Sequence, residues 1–313
     1  MTTITPRAVF VTRESDYEAL LSRHATRDQA RFFLEMRGQK LEDVEARHQR
    51  FLSALSEARA AVPAQWRHTL VPRAELDRFL FADGDIIIAV GQDGLVANTA
   101  KYLKGQPVIG VNPLPDIYDG VLVRFAARDL KDALPAVAAG RLPLEHRAMV
   151  EATLDSGERL LALNELFLGH KSHQSARYAL TSGGKEERQS SSGLIVASGT
   201  GSTGWARSIM EATGLKMALA PEERAAVWLV REPFPSRATG TDLRGGKLAG
   251  DELTVRSEMN EGGVIFADGI ERDFLAFDWG KRARIGVSAQ VLELANPDGH
   301  SVLPAKEKKK HRV

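Results

Sequence analysis

The sequence contains no cysteine. Disulfide frameworks, zinc–thiolate centres, cysteine-ligated iron–sulfur clusters and cysteine nucleophiles are therefore excluded. It has no surplus of either charge: 42 Lys and Arg stand against 41 Asp and Glu, a formal net charge of +1. Such a balance gives no global pull toward nucleic acid, and it does not resemble an acidic disordered chain. No window approaches about 18 uninterrupted apolar residues, so no membrane-spanning helix is expected. The opening residues, MTTITPRAVFVTRESDYEALL, lack the basic-then-apolar succession of a secretory signal. Glu14, Asp16 and Glu18 are equally unlike a transit peptide, and a cytosolic chain is expected. No internal repeat or low-complexity block is visible.

What is present fits a globular protein. Hydrophobic residues make up 43% of the 313 residues and charged residues 27%, enough to bury a substantial core. This length favours two lobes over one. Ala8 to Thr12 reads as a first strand. Residues 15–60 carry a helical period, with Val44, His48, Phe51, Leu52, Leu55 and Ala58 on one face, and suggest two helices broken near Gly38. Asp85 to Val90 is a short continuous apolar run, the mark of a strand buried on both faces. Gly91 to Gly94 reads as a turn, Leu95 to Leu103 as a helix and Pro107 to Val111 as another strand. The alternation predicts an α/β lobe with a parallel sheet, whose ligands sit at the carboxyl ends of strands.

After about residue 120 the pattern changes. Met149 to Leu154, Arg159 to Leu168, Arg177 to Thr181, Leu194 to Ala197, Ala226 to Val230, Leu253 to Arg256 and Gly263 to Phe266 read as short strands. Gly183-Gly184 and Gly245-Gly246 suggest hairpin turns. One helix, from Ser202 to Thr213, interrupts. The expected organisation is an α/β lobe over residues 1–120, an antiparallel β-rich lobe over 121–282, and a late strand with a basic tail over 283–313 that may return to the first lobe.

Three segments have chemistry-bearing composition. Gly91-Gln92-Asp93-Gly94 lies between a strand and a helix N-terminus, where backbone N–H groups favour phosphate. An Asp there would repel phosphate, unless it holds a cation or accepts a proton from an attacking hydroxyl. Ser198-Gly199-Thr200-Gly201-Ser202-Thr203-Gly204-Trp205 combines three glycines and four hydroxyl residues ahead of a helix, another anion-friendly arrangement. It is not a P-loop, because no lysine follows in the required position. Asn164-Glu165 interrupts an apolar run, and an Asn side chain suits the edge of an adenine or amide. Read singly, each has an ordinary explanation as a turn, a capped helix start or an exposed polar pair. His170 and His173 have no evident third ligand, and no GxSxG nucleophile elbow is present.

Taken in order, these segments resemble the NAD kinase family, whose signatures are GGDG, an NE pair and a TPTGSTAY-like segment. Residues 162–169, Ser191-Ser192-Gly193-Leu194 and Val230-Arg231-Glu232-Pro233-Phe234 resemble the divergent, organellar-type branch, which also has Trp after TGS and SSG in place of DG. The resemblance covers roughly residues 5–295. It implies an N-terminal Rossmann-like α/β lobe with a parallel sheet, a C-terminal antiparallel β-rich lobe, and an active site between them. It implies transfer of the terminal phosphate of ATP to the 2′-hydroxyl of the adenosine ribose of NAD, with Mg²⁺ or another divalent cation, in a cytoplasmic homo-oligomer, dimer favoured, without nucleic-acid or membrane partners. Carried over residue by residue, Asp93 is the catalytic aspartate, and Gly91 and Gly94 shape the phosphate turn. Gly201 and Ser202 are further phosphate-contact candidates, as are Gln92, through its amide, and Arg231, whose guanidinium fork matches phosphate oxygens. Asn164, Glu165, Ser192, Thr203, Gly204, Trp205 and Ser208 line the NAD pocket. Ser192 stands where most members have Asp, and Gln92 where they have Gly. Two other readings remain: an NAD-binding homologue silenced at Gln92, and a diacylglycerol- or sphingosine-type lipid kinase. Residues 110–116 do not match the GTGNDF-like segment of the latter.

Overall fold

The computed structural model describes residues 5–298. It forms two compact units. One runs to Leu144 and recovers Glu293–Pro297; the other spans Glu145–Leu292.

The first unit begins with β1 (Arg7–Thr12). Three helices follow, not two: α1 (Asp16–His24), α2 (Arg27–Glu35) and α3 (Leu41–Ala60). Gly38 marks the expected break with φ 68°. A second break falls at Ala25, φ 60°, which periodicity alone did not reveal. Thr26 then caps α2 by accepting from the Gln29 N–H at 3.3 Å. After β2 (Arg67–Pro72) and β3 (Asp85–Val90) come α4 (Asp93–Ala100), β4 (Val108–Val111) and α5 (Leu130–Ala138). The sheet order is β2-β1-β3-β4 with every pair parallel. All six β3 residues are buried, as the unbroken apolar run required. One face of the sheet, including Phe10, Ile88 and Ile109, packs against Leu130 and Leu134 of α5 and Ala58 of α3. Leu52 of α3, placed on the apolar face by periodicity, is 39% exposed.

The first unit extends past the boundary expected at residue 120. The reason is α5 and the segment before it. Phe125 N–H donates to the Gly110 carbonyl at 3.0 Å, Asn112 N–H donates to the Phe125 carbonyl at 2.8 Å, and the α5 side chains complete the core.

The second unit contains β5 (Leu144–Leu154), β6 (Arg159–Ala162), β7 (Glu165–His170), β8 (Ala176–Ser182), β9 (Lys185–Ser191), β10 (Leu194–Ser198), α6 (Trp205–Thr213), β11 (Ala226–Val230), β12 (Gly245–Leu248), β13 (Leu253–Ser257), β14 (Gly263–Ala267), β15 (Ile270–Ala276) and β16 (Arg282–Ala295). One antiparallel sheet has the order β12-β11-β10-β7-β14-β15. Facing it are β16, β13, β8 and β9, with β5 paired to β16 and β6. Leu194 and Val196 of β10 point into the core between the sheets with Tyr178 and Leu253. Ile195 and Ala197 point the other way, beneath Ala206 and Met210 of α6. The last residues of β16 belong to the first unit, where Leu294 pairs in parallel with Val108 of β4.

Three expectations are corrected. The strand over 159–168 is two strands, parted at Leu163-Asn164. Gly245-Gly246 is not a turn but the start of β12; a Cβ on Gly246 would lie 2.8 Å from Trp228 Nε1, so its absence lets the strand close on the indole. The edge strands β9 and β15 went unrecognised because KEERQSS and IERDFLA are too polar to signal strand. Charged edges of this kind deter strand addition by other chains. The basic residues 306–311 lie outside the described residues.

Gly183-Gly184 does form the β8–β9 hairpin, with φ of 55° and 77° and Ser182 facing Lys185. Two positive φ values are the requirement of a type I′ turn. Replacing both glycines by alanine is expected to lower stability by about 2–4 kcal/mol, from roughly 1–2 per left-handed residue, whereas Asn-Gly is tolerated. Chemical denaturation of the two variants decides; equal midpoints would contradict this account of the turn.

Candidate functional site

In the first unit, β3 delivers its chain to a buried Gly91, whose N–H donates to the Val111 carbonyl at 3.0 Å. The helix begins two residues earlier than its apolar pattern suggests: Gln92 is the N-cap residue and Asp93 the first residue of α4. A carboxylate at this position meets the positive end of the helix dipole. It also reaches across to the chain after β4. Asp93 Oδ1 accepts the N–H of Leu122 at 2.7 Å and of Val123 at 3.1 Å; Oδ2 accepts that of Val121 at 3.0 Å. A carboxylate offers about four acceptor positions. Three are thus committed to main chain, and one on Oδ2 remains for a hydroxyl.

Gln92 has φ −94°, an ordinary value, so the backbone here does not demand glycine. Gly94 is exposed with nothing within 4 Å of an added Cβ. No packing inside the unit calls for a glycine there, and the open space beside Asp93 suits a ligand. Next to Gly91 and Gln92, where β1 and β3 end, lies a pocket lined in part by Arg13, Tyr17, Arg47, His48 and Tyr118. Ser15 Oγ is hydrogen-bonded to His48 Nδ1 at 2.8 Å. The sequence reading missed these residues. The available signal was Arg13 directly after the first strand, at the carboxyl end of a parallel sheet.

In the second unit, Asn164 and Glu165 form the corner between β6 and β7. Asp268, in the β14–β15 turn, pins it: its Oδ2 accepts the Leu163 N–H at 2.9 Å, and its Oδ1 accepts those of Asn164 at 2.7 Å and Glu165 at 3.2 Å. Asp268 was also missed in the sequence, where Asp-Gly reads only as a turn. The other side of the corner meets the glycine-rich segment. Ser198 N–H donates to the Asn164 carbonyl at 2.9 Å, and Ser198 Oγ donates to the Leu163 carbonyl. Gly201 lies so close that a Cβ would run into the Asn164 carbonyl. The glycine is required by approach to the corner, beyond any role toward anions.

The hydroxyls of this segment are engaged internally. Ser202 Oγ donates to the Gly199 carbonyl at 2.7 Å and Thr203 Oγ1 to the Thr200 carbonyl at 2.9 Å. Thr203, Gly204, Trp205 and Ser208 are exposed around the start of α6. Trp205 stacks on Phe167 at 5.9 Å between centroids, and the Arg231 guanidinium lies 5.0 Å from the Trp205 ring centre. Arg231 and Ser192 are neighbours: Ser192 N–H donates to the Arg231 carbonyl at 2.9 Å, and Arg231 Nη1 donates to the Ser192 carbonyl at 3.4 Å. Glu232 follows with φ 43°, a strained value for a non-glycine residue. The structure thus gathers Gly91 to Gly94 in one unit. In the other it gathers two neighbourhoods, Asn164-Glu165 with Gly201-Ser202 and Ser192 with Trp205 and Arg231. Among the described residues no three His, Asp or Glu side chains converge as a metal site.

Burial, reinforced by the negative charge of Asp268, pushes the Glu165 carboxyl up from 4.5 to about 7. At neutral pH a fraction of Glu165 therefore carries a proton and can donate as well as accept.

No protein-family model matches the chain. Curated proteins do. It is 28% identical over 198 residues to an NAD kinase of Chlorobaculum tepidum, covering 61% of this chain and 65% of the relative. It is 33% identical over 136 residues to an NAD kinase of Acidithiobacillus ferrooxidans, covering 41% and 45%. It is 27% identical over 226 residues to an NAD kinase of Teredinibacter turnerae, covering 69% and 73%. The chain spans less than two thirds of the length of the first two. Among solved structures, an NAD kinase from Archaeoglobus fulgidus in complex with ATP matches with a TM-score of 0.57 at 20% identity over 93% of each chain. Yeast NADH kinase complexed with NADH matches with a TM-score of 0.57 at 17% identity, covering 94% of this chain and 85% of that one. The likeness to these structures is one of fold.

The Glu165 carboxyl yields a prediction about stability. Its folded value exceeds its unfolded one, so the native state holds the extra proton. The stabilisation is complete below about pH 4.5 and is lost as pH rises through about 7. The stability advantage of the wild type over Glu165→Gln is therefore expected to shrink by something on the order of 1–3 kcal/mol from pH 5 to pH 8. Thermal melts of both proteins across that range test it; a pH-independent difference would show that Glu165 titrates normally.

Proposed function

We propose that this chain, similar in sequence and in fold to NAD kinases, is itself one, transferring the terminal phosphoryl group of ATP to the 2′-hydroxyl of the adenosine ribose of NAD. The observation that carries the reading is Asp93: a carboxylate fixed by three main-chain N–H groups, with one acceptor position open, beside a glycine that packing does not require. That is what orienting a single hydroxyl needs.

In this reading the 2′-hydroxyl donates to Asp93 Oδ2. Its oxygen attacks the terminal phosphorus, the bond from that phosphorus to the bridging oxygen of the diphosphate breaks, and the hydroxyl proton passes to Asp93. A loose transition state leaves the nucleophile weakly activated until late, so a carboxylate suffices as acceptor and positioning dominates. Asn164 and Glu165 hold the adenosine portion, with Thr203, Gly204, Trp205, Ser208 and Ser192 lining the dinucleotide site. Arg231 and the Gly91 to Gly94 and Gly201-Ser202 segments meet phosphate. The Arg13 and Arg47 guanidiniums, in the pocket beside Gln92, are suited to the donor's phosphates. A divalent cation such as Mg²⁺ belongs to the reading; among the described residues no three His, Asp or Glu side chains form a cage for it. A cytoplasmic homo-oligomer, a dimer by preference, completes the proposal. Among the described residues no helix is long and apolar enough to cross a membrane.

The second reading, a homologue that binds NAD without turnover, rests on Gln92. The ordinary backbone at Gln92 argues against a distorted turn, and a Gln amide can donate to a phosphate.

Purified protein with NAD, ATP and Mg²⁺ is expected to yield NADP, detected with an NADP-specific dehydrogenase. Asp93→Asn is expected to lower kcat by roughly 10²–10⁴ while retaining NAD binding and a native circular dichroism spectrum. NAD binding by the wild type with no NADP formed would replace the kinase reading with the second one. Gln92→Gly is expected to keep or raise kcat/KM; a large loss would mean that the Gln92 side chain is itself part of the donor site.

A further inference from the structure

Asn164 and Glu165 present chemistry from a corner, and corners between two strands have no ladder of their own to hold their shape. On its outer side this one is held by Asp268. The Asp268 carboxylate takes three consecutive amides, Leu163, Asn164 and Glu165, at 2.9, 2.7 and 3.2 Å, and the Asp268 N–H returns a bond to the Glu165 carbonyl at 3.1 Å. To do so Asp268 accepts φ 50°, in the region that favours glycine, although Gly269 stands beside it. A glycine at 268 would relieve that strain. Keeping Asp there costs backbone energy, so the carboxylate is the feature the position supplies.

The setting supports a role beyond the turn. Three main-chain amides meet the Asp268 carboxylate. Its negative charge acts on Glu165. The partner of Glu165 on β10 is Ala197, and the segment packed on Asn164 offers Gly201, Ser202 and Thr203, none of which ionises in the working range.

We propose that Asp268 is a positioning residue for dinucleotide binding: its carboxylate fixes the Asn164-Glu165 corner for NAD. The inference rests on the NAD-binding reading above. It assigns Asp268 no contact with the reacting atoms, so its loss acts on affinity rather than on the phosphoryl step.

Two variants separate the carboxylate from the turn. Asp268→Asn keeps the size and tolerates positive φ, but it offers one carbonyl oxygen and turns an NH₂ toward donors. Asp268→Gly relaxes the backbone strain while removing the carboxylate, so the turn is expected to survive. NAD affinity is measured by calorimetry from pH 5 to pH 9 on wild type and both variants, with melting temperature as the control for folding and kcat at saturating NAD alongside. The expected result is a Kd for NAD raised at least tenfold in both variants. The pH midpoint of binding shifts below the wild-type value, because Glu165 loses its like-charged neighbour, and kcat changes by less than about threefold. Wild-type binding of NAD with unchanged Kd and pH midpoint in Asp268→Gly would overturn the inference and leave the NAD reading standing. A wild type that does not bind NAD would remove that reading and this inference with it.

Discussion

The organisation of the candidate site residues in each unit depends on one interaction, a carboxylate closed around successive main-chain N–H groups. Asp93 binds 121–123 in this way and Asp268 binds 163–165. Charge-assisted bonds to backbone donors are shorter and stronger than neutral ones. They also fix loop geometry without bulky side chains, so space next to the corner stays open. In each unit the anchored segment lies beside residues that the sequence reading marked as functional. In each, the anchoring aspartate sits on a different stretch of chain, so the site is ordered by tertiary structure rather than by local propensity.

The scaffold that presents these anchors is conventional in its physics. Continuous apolar runs in β3 and β10 are buried on both faces. The glycines that matter do so for different reasons: Gly183 and Gly184 for their φ values, Gly201 for close approach, and Gly94 because nothing in the protein fills its place. Only the last of these is left unexplained by folding. The Trp205–Phe167 stack with Arg231 beside it shows the same economy, since one aromatic pair supports both the start of α6 and the Arg231 strand end.

Much of this was legible in the sequence where burial is two-sided or the turn chemistry is strict. β1, β3, β4, β10, β11 and the Gly183-Gly184 hairpin follow from apolar runs and positive-φ requirements. The break at Ala25, the split at Leu163-Asn164 and the strands β9 and β15 did not. Each is decided by partners distant in the chain: Asp268 splits one strand, and polar edge strands take their pairing from neighbours. The candidate residues around Asp93, Asn164 and Trp205 were visible as motifs in order. Asp268, Arg13, Arg47 and His48 were not, because an Asp-Gly pair or a lone basic residue carries no signal until the fold brings it to a corner or a pocket.

The last strand has a consequence for the order in which the molecule assembles. The first unit's sheet ends at β4, and the residue that pairs with Val108 there is Leu294. During synthesis from the N-terminus, β4 is made long before its neighbour leaves the ribosome. Until then the Val111 end of β4 is covered by Phe125, while the Val108 end is a parallel edge awaiting its partner, the kind of surface that invites mispairing. The first unit is therefore complete only once Leu294 has emerged.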